Sequence, residues 1–257
     1  MDVTNNPELK NLAIEEGKIL SILKHPYIMN YYGYFEKKKT FGGKVKENVT
    51  IISDYYSNGT MLDNLHNNGL NPPFEIRLKW AIQIAYALDY LHSLNITHRD
   101  LKPDNILISE NYDAILADFG YAKKLMTHLN FKKHSTVAGT ILWIAPEIFL
   151  GLPYDNSVDI FSFGILLYEI LSLKWPYKRE DYQNEKLFEQ KVIGRIMKQN
   201  GTYEVIEPLR PDIGSVSKSD FNNSENYSLY LNLMKRCWNS DPKKRPNWNE
   251  IIKIILT

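Results

Sequence analysis

Apolar residues near the start of the chain, Leu9, Leu12, Ala13, Leu20 and Leu23, recur at steps of three and four, so they line one face of a helix that Pro7 would open. The spacing predicts a helix over 7–24, with Glu16 on the same face as its apolar neighbours. From Tyr31 to Tyr56 the pattern changes. Two β-rich runs, YYGYF and VTIISDYY, flank a polar stretch containing Gly42 and Gly43, which predicts a hairpin with a long loop. The run Ser57-Asn58-Gly59-Thr60-Met61 then breaks the β pattern. A long amphipathic helix is expected over 74–94, after Pro72 and Pro73 and before Asn95, followed by loop and short strand to about Gly120. Residues Ser157 to Ser172 are apolar nearly all the way round, as in a helix packed on every side. The remainder reads as helix, interrupted by an Asn- and Ser-rich stretch from Ser215 to Asn226 that is expected to be a surface loop, and no repeat is found.

Composition narrows the class. The 257 residues, 44% of them apolar or aromatic, suffice for one large domain or two closely packed lobes. With 31 Lys and Arg against 30 Asp and Glu there is no net field to draw the chain to nucleic acid or to a membrane, so neither is expected as a partner. Cys237, the only cysteine, cannot form an internal disulfide, and the polar start lacks a secretory core, so a reducing cytoplasmic setting is the expectation. The run from Phe161 to Leu171 contains Glu169 and is far shorter than the roughly 20 residues that cross a bilayer.

Three strings carry the chemistry: His98-Arg99-Asp100-Leu101-Lys102-Pro103-Asp104-Asn105, then Asp118-Phe119-Gly120, then Ala145-Pro146-Glu147. In this order and spacing they resemble the eukaryotic protein kinases. Passing a phosphoryl group from ATP to a hydroxyl needs alignment and charge neutralisation more than covalent help. The resemblance implies that Asp100 accepts or orients the proton of the attacking hydroxyl and that Lys102 neutralises the γ-phosphate. It also implies that Asn105 and Asp118 supply oxygen ligands to Mg2+, a hard cation. Lys102 and the pair Gly139-Thr140 resemble the Ser/Thr-specific kinases, and the run from Gly139 to Glu147 together with Arg236-Cys237-Trp238 is similar to the tyrosine-kinase-like, or Raf-like, branch.

Further matches follow the same resemblance. Arg99 would pair with a phosphate on the segment from Asp118 to Glu147, and Ser135 or Thr136 is the expected target of an upstream kinase. Asp159 would hold the catalytic-loop backbone, although Phe161 stands where tryptophan is commoner, and Glu147 with Arg245 would form a buried ion pair. At the hinge, Asp54 to Tyr56 would offer backbone groups to adenine and Leu107 would pack under its ring. The small Ser53 would leave a back pocket open to bulky inhibitors.

Glu16 matches the helix glutamate that pairs with a strand lysine holding the α- and β-phosphates of ATP. Only fifteen residues precede it, Lys10 lies on the same helix, and no Gly-x-Gly-x-x-Gly occurs anywhere. The expectation is therefore an α+β, two-lobed kinase-like fold. Residues 1–56 would form a partial small lobe, with helix and hairpin but without glycine loop or lysine, and 57–257 a mostly helical large lobe. An incomplete version of a longer kinase is favoured over a short chain that has lost phosphate clamping. The expected activity is transfer to Ser or Thr of protein substrates; the rival reading is a weak or inactive interaction module.

Overall fold

The computed structural model describes residues 7–41, 44–67, 70–124, 140–199, 202–206, 208–221 and 223–257. Helix α1, Pro7–Ile22, presents Ala13 and Leu20 inward and packs on the antiparallel hairpin of β1, Tyr31–Phe41, and β2, Lys44–Ser53. The expected long loop is corrected here: pairing runs to Phe41 opposite Lys44, so the polar Lys- and Glu-rich stretch is strand. An exposed two-stranded ribbon can carry charge on both faces, which hides it from an apolar-alternation reading. Asp54 to Tyr56 lie beyond the end of β2.

A π-helical turn at Asp63–Asn67 leads to α2, Phe74–Ser93. Its inner face, Trp80, Ala81, Ile84, Ala85, Ala87, Leu88 and Leu91, is fully buried. Short antiparallel pairs follow: β3, Ile96–Thr97, with β6, Lys123–Lys124, and β4, Ile106–Ile108, with β5, Ala114–Leu116. The first part of the chain is stitched to this region by a parallel bridge: Met29 N donates to Leu116 O at 2.9 Å and Leu116 N to Tyr27 O at 2.9 Å.

The single turn α3, Pro146–Phe149, precedes α4, Ser157–Ser172, in which Val158 to Leu171 are all buried, as its all-round apolar pattern requires. Helix α4 ends with Leu173 left-handed at φ 56°, its N–H donating to Glu169 O at 2.8 Å. Then come α5, Arg179–Tyr182, and α6, Glu185–Ile193. The hairpin of β7, Arg195–Gln199, and β8, Thr202–Ile206, corrects the helical reading of this stretch. The chain closes with α7, Ser224–Cys237, and α8, Trp248–Ile255. Asn184, Asn223 and Asn247 cap α6, α7 and α8 by accepting from backbone N–H groups, which explains asparagines before these apolar patterns.

The stretch expected as a surface loop at 215–226 is mostly at the surface, with Ser217 to Ser219 and Asn223 to Glu225 exposed, but it is not without structure. Val216 is buried, Lys218–Asp220 forms a 3-10 turn, and Asp220 accepts from the buried Arg77 guanidinium at 2.8 Å. Its polar residues serve caps and a long-range ion pair that no local pattern reports. One apolar cluster joins Leu20 and Ile28 to α2, α4, α7 and α8, and no helix among the described residues is long and apolar enough to cross a membrane.

Candidate active site

Pro103–Asn105 is a 3-10 turn that delivers Asn105 to the start of β4, and the β4–β5 ladder sets Asn105 beside Ala117, whose N–H donates to Asn105 O at 2.9 Å. Asp118 follows directly, so strand pairing alone brings residues 105 and 118 to one end of a two-stranded ladder. Within the turn, Asn105 Nδ2 donates to Asp100 O at 2.7 Å and to Asp100 Oδ2 at 2.8 Å. Lys102 Nζ lies 3.0 Å from the same Asp100 oxygen. Asp100 and Asn105 are buried, so these contacts act with little screening by water.

The loop holding them is strained and then secured. Arg99 and Asp118 are non-glycine residues with φ of 71° and 57°, a conformation that costs about 1 kcal/mol or more and persists only where surroundings enforce it. The enforcing group for the first is Asp159, fully buried on α4, which accepts from His98 N at 2.8 Å and Arg99 N at 2.9 Å. Burial pushes the Asp159 carboxyl up, but the His92 ring, then the His98 ring and the Arg99 N–H, outweigh it and hold the carboxyl below its usual range. His92 Nε2 donates to Asp159 Oδ2 at 2.8 Å while its Nδ1 accepts from Trp248 Nε1 at 2.7 Å, so α2 and α8 support the anchor. Buried His98 bonds Ala117 O through Nε2, accepts from Asp100 N through Nδ1, and meets the Phe119 ring edge-on. Sequence reasoning missed both histidines. His98 sits inside the motif string and could have been weighed; His92 lies 67 residues from its partner and carries no local sign of it.

Asp118 is exposed, with Oδ1 accepting from Gly120 N at 3.3 Å. Glu16 reaches this turn from α1: its Oε1 accepts from Phe119 N at 3.2 Å. Partial burial and then the Asp118 charge raise Glu16 to about 7, against the downward pull of the Phe119 N–H. Glu16 thus meets backbone rather than a lysine among the described residues, and Lys10 is engaged by Glu36 at 2.6 Å. Asn105 turns its amide N–H groups to Asp100, leaving Oδ1 for a cation, and Asp118 retains Oδ2. Two hard oxygens of this kind fit Mg2+ with phosphate and water as further ligands. Among the described residues no three His, Cys, Asp or Glu side chains gather as a metal site.

At the hinge, Asp54 is turned outward, accepting from Asn30 Nδ2 at 2.6 Å and Tyr32 OH at 2.7 Å, and Ser53 Oγ donates to Asp54 O at 3.2 Å. Tyr56 is half-buried, its carbonyl accepting from Gly59 N at 3.4 Å, and Leu107, also half-buried, bridges to Thr60. Arg245 donates to both Glu147 oxygens at 2.6 and 2.8 Å, and Phe161 lies fully buried under the Arg210 and Arg245 guanidinium groups. Thr127, Lys132, Lys133, Ser135 and Thr136 lie outside the described residues. Arg99 packs over the Tyr154 ring, 5.6 Å from its centre.

Comparison with known proteins agrees with this geometry. The chain is 31% identical over 246 residues to a protein of Acanthamoeba polyphaga mimivirus named as a serine/threonine-protein kinase/receptor, with 94% of this chain and 13% of the relative covered. In Dictyostelium discoideum the proteins kinY and drkC, both named as serine/threonine-protein kinases, are 30% and 29% identical, covering 98% and 97% of this chain. The chain spans 42% of kinY and 29% of drkC, so it corresponds to a part of each relative. The family profile described as protein kinase domain matches residues 2–255, and with it the helix-rich α+β fold and the ordered motif strings agree: this chain belongs to the protein kinase domain family.

Proposed function

We infer that this domain transfers the γ-phosphate of ATP to Ser or Thr hydroxyls of protein substrates. The observation that carries the reading is the bonded cluster of Asp100, Lys102 and Asn105 at the end of the β4–β5 ladder, where Asp118 follows β5. Asp100 Oδ2, held by Asn105 and Lys102, is fixed to accept or orient the proton of an incoming hydroxyl. Lys102 offers a positive charge beside that carboxylate, suited to offsetting charge on a transferring phosphoryl group. Asn105 Oδ1 and Asp118 would hold magnesium, which when bound neutralises and orients the phosphates. Leu107 and the backbone of Asp54 to Tyr56 would take the adenine. Ser135 or Thr136 remains the proposed site for an upstream kinase, the Raf-like branch the proposed affiliation, and the cytoplasm the proposed compartment.

Purified chain with ATP, Mg2+ and a generic protein acceptor tests this. Transfer that Asp100→Asn lowers by about a hundredfold or more supports it; equal incorporation by both proteins defeats it. The second reading, an interaction module, is favoured by Glu16 bonding the Phe119 backbone where a phosphate-holding lysine is expected as its partner. No transfer under any condition, with intact folding, would support that reading.

A further inference from the structure

Arg210 is a partly buried cation that makes no ion pair among the described residues. Glu147 is close enough to attract it, but that carboxylate is already held by both terminal nitrogens of Arg245, whose own charge repels Arg210. Four of the five Arg210 donors go to neutral oxygens at 2.7 to 3.0 Å: Nε to Trp238 O, Nη1 to Val192 O and Leu209 O, and Nη2 to Ser240 Oγ. A charge taken out of water is ordinarily paired, and burial here holds the guanidinium below its usual range.

Arg210 lines a cavity of about 470 Å³ formed by the loop after α4, the start of α5 and the 3-10 turn Ile213–Ser215. Tyr177, 5% exposed, lines it too, and its buried hydroxyl has no hydrogen-bond partner among the described residues. Burial pushes that hydroxyl well above its ordinary range, so it keeps its proton and is a donor in need of an acceptor. The Arg210 charge acts on the same hydroxyl. Lys174 and Lys178 are exposed at this cavity, and neither ammonium has a partner among the described residues. The carboxylates on the wall leave this positive charge in excess. Asp181 is paired with Lys191 at 2.9 Å, and Asp212 accepts from Gly214 N at 3.0 Å as the cap of its own turn. The rest of the wall is apolar or aromatic: Tyr168, Pro176 and Leu209, with Trp175 held in place by stacking on His66, centroids 4.4 Å apart. A volume of this size suits a small molecule in which a compact acidic group is joined to a ring.

We propose that this cavity binds a small aromatic anion of the aryl phosphate kind, whose acidic oxygens accept from Tyr177 and Arg210 while its ring lies against Trp175 and Leu209. Lys174 and Lys178 add attraction at its rim. None of the lining residues belongs to the cluster of Asp100, Lys102 and Asn105.

Phenyl phosphate titrated into the full chain tests this by calorimetry and thermal melts. The melting midpoint should rise with its concentration. Phenol and inorganic phosphate, each carrying half of the recognised chemistry, should bind at least about tenfold more weakly. Tyr177→Phe removes only the hydroxyl: it should weaken phenyl phosphate binding about tenfold, while the ligand-free chain melts no lower than wild type because an unpaired buried donor is gone. Replacing both Lys174 and Lys178 by alanine should weaken binding and flatten its dependence on salt. Lys102→Ala should leave the affinity unchanged, since that lysine belongs to the other site. The proposal is overturned by a midpoint that phenyl phosphate does not move, by inorganic phosphate binding equally well, by wild-type affinity in Tyr177→Phe or in the double lysine variant, or by loss of binding in Lys102→Ala. A ligand-free Tyr177→Phe chain that melts well below wild type would show the hydroxyl to be already satisfied and would overturn it equally.

Discussion

Asp159 shows how one side chain converts fold into site geometry. Its carboxylate accepts two successive loop N–H groups, and those bonds stabilise the left-handed Arg99 that turns the chain into Asp100. Because the folded-state pKa lies below the ordinary 3.8, its stabilising contribution is present above about pH 3.8 and is lost as pH falls through the lower folded value. Asp159→Asn should therefore lower stability by roughly 1–3 kcal/mol at neutral pH, and its difference from wild type should shrink below pH 3.8 in urea titrations run across pH. Glu147 acts similarly at the end of the segment. Glu147→Gln leaves the buried Arg245 guanidinium without its counter-charge and should cost about 3–5 kcal/mol in the same assay. An isosteric apolar replacement of both partners should cost less, since no charge would then be left unpaired.

At the scale of elements, the close approach of α4 to α7 depends on Gly164. A methyl built there would lie 2.6 Å from Cys237 Cβ and 3.2 Å from Trp238 N, and one of those atoms is backbone. Gly164→Ala should therefore lower unfolding free energy by about 1–3 kcal/mol in urea melts, through overpacking and not through helix propensity. The same buried contact accounts for Cys237, whose thiol is pushed up by burial and is held in the core. The helices were legible because their burial follows their own periodicity: α4 occupies the residues its apolar run predicts, and α2 departs by a single residue. Strands fared worse. The β1–β2 ribbon is longer than its apolar runs, and β7–β8 carries no alternation that separates it from helix. Two-stranded ribbons owe their pairing to a partner strand, and single-residue patterns report that partner only when one face is buried.

Across the whole molecule stability should be uneven. The main core joins Leu20 and Ile28 to the helical part, whereas Ala13 and Val49 form a separate pair between α1 and the hairpin. The hairpin also exposes Tyr32, Tyr34, Phe35 and Ile52. Amide exchange in Glu36–Phe41 should thus be at least about a hundredfold faster than in the middle of α4; equal protection would show that the hairpin shares the global unfolding unit. The motif strings were readable from sequence because each is a local run in which chemistry and spacing coincide: Asp100, Lys102 and Asn105 lie within one short run, and Asp118-Phe119-Gly120 is contiguous. The family and the nature of the helices were therefore available from the chain alone. Folding alone decided that Glu16 meets the Phe119 backbone, that His92 and Trp248 brace Asp159, that Glu169 grips Trp143, and that the polar stretch near 220 anchors Arg77. Each of these is a contact between residues 26 to 156 positions apart, and local periodicity carries no record of which distant side chain will fill a given hydrogen bond.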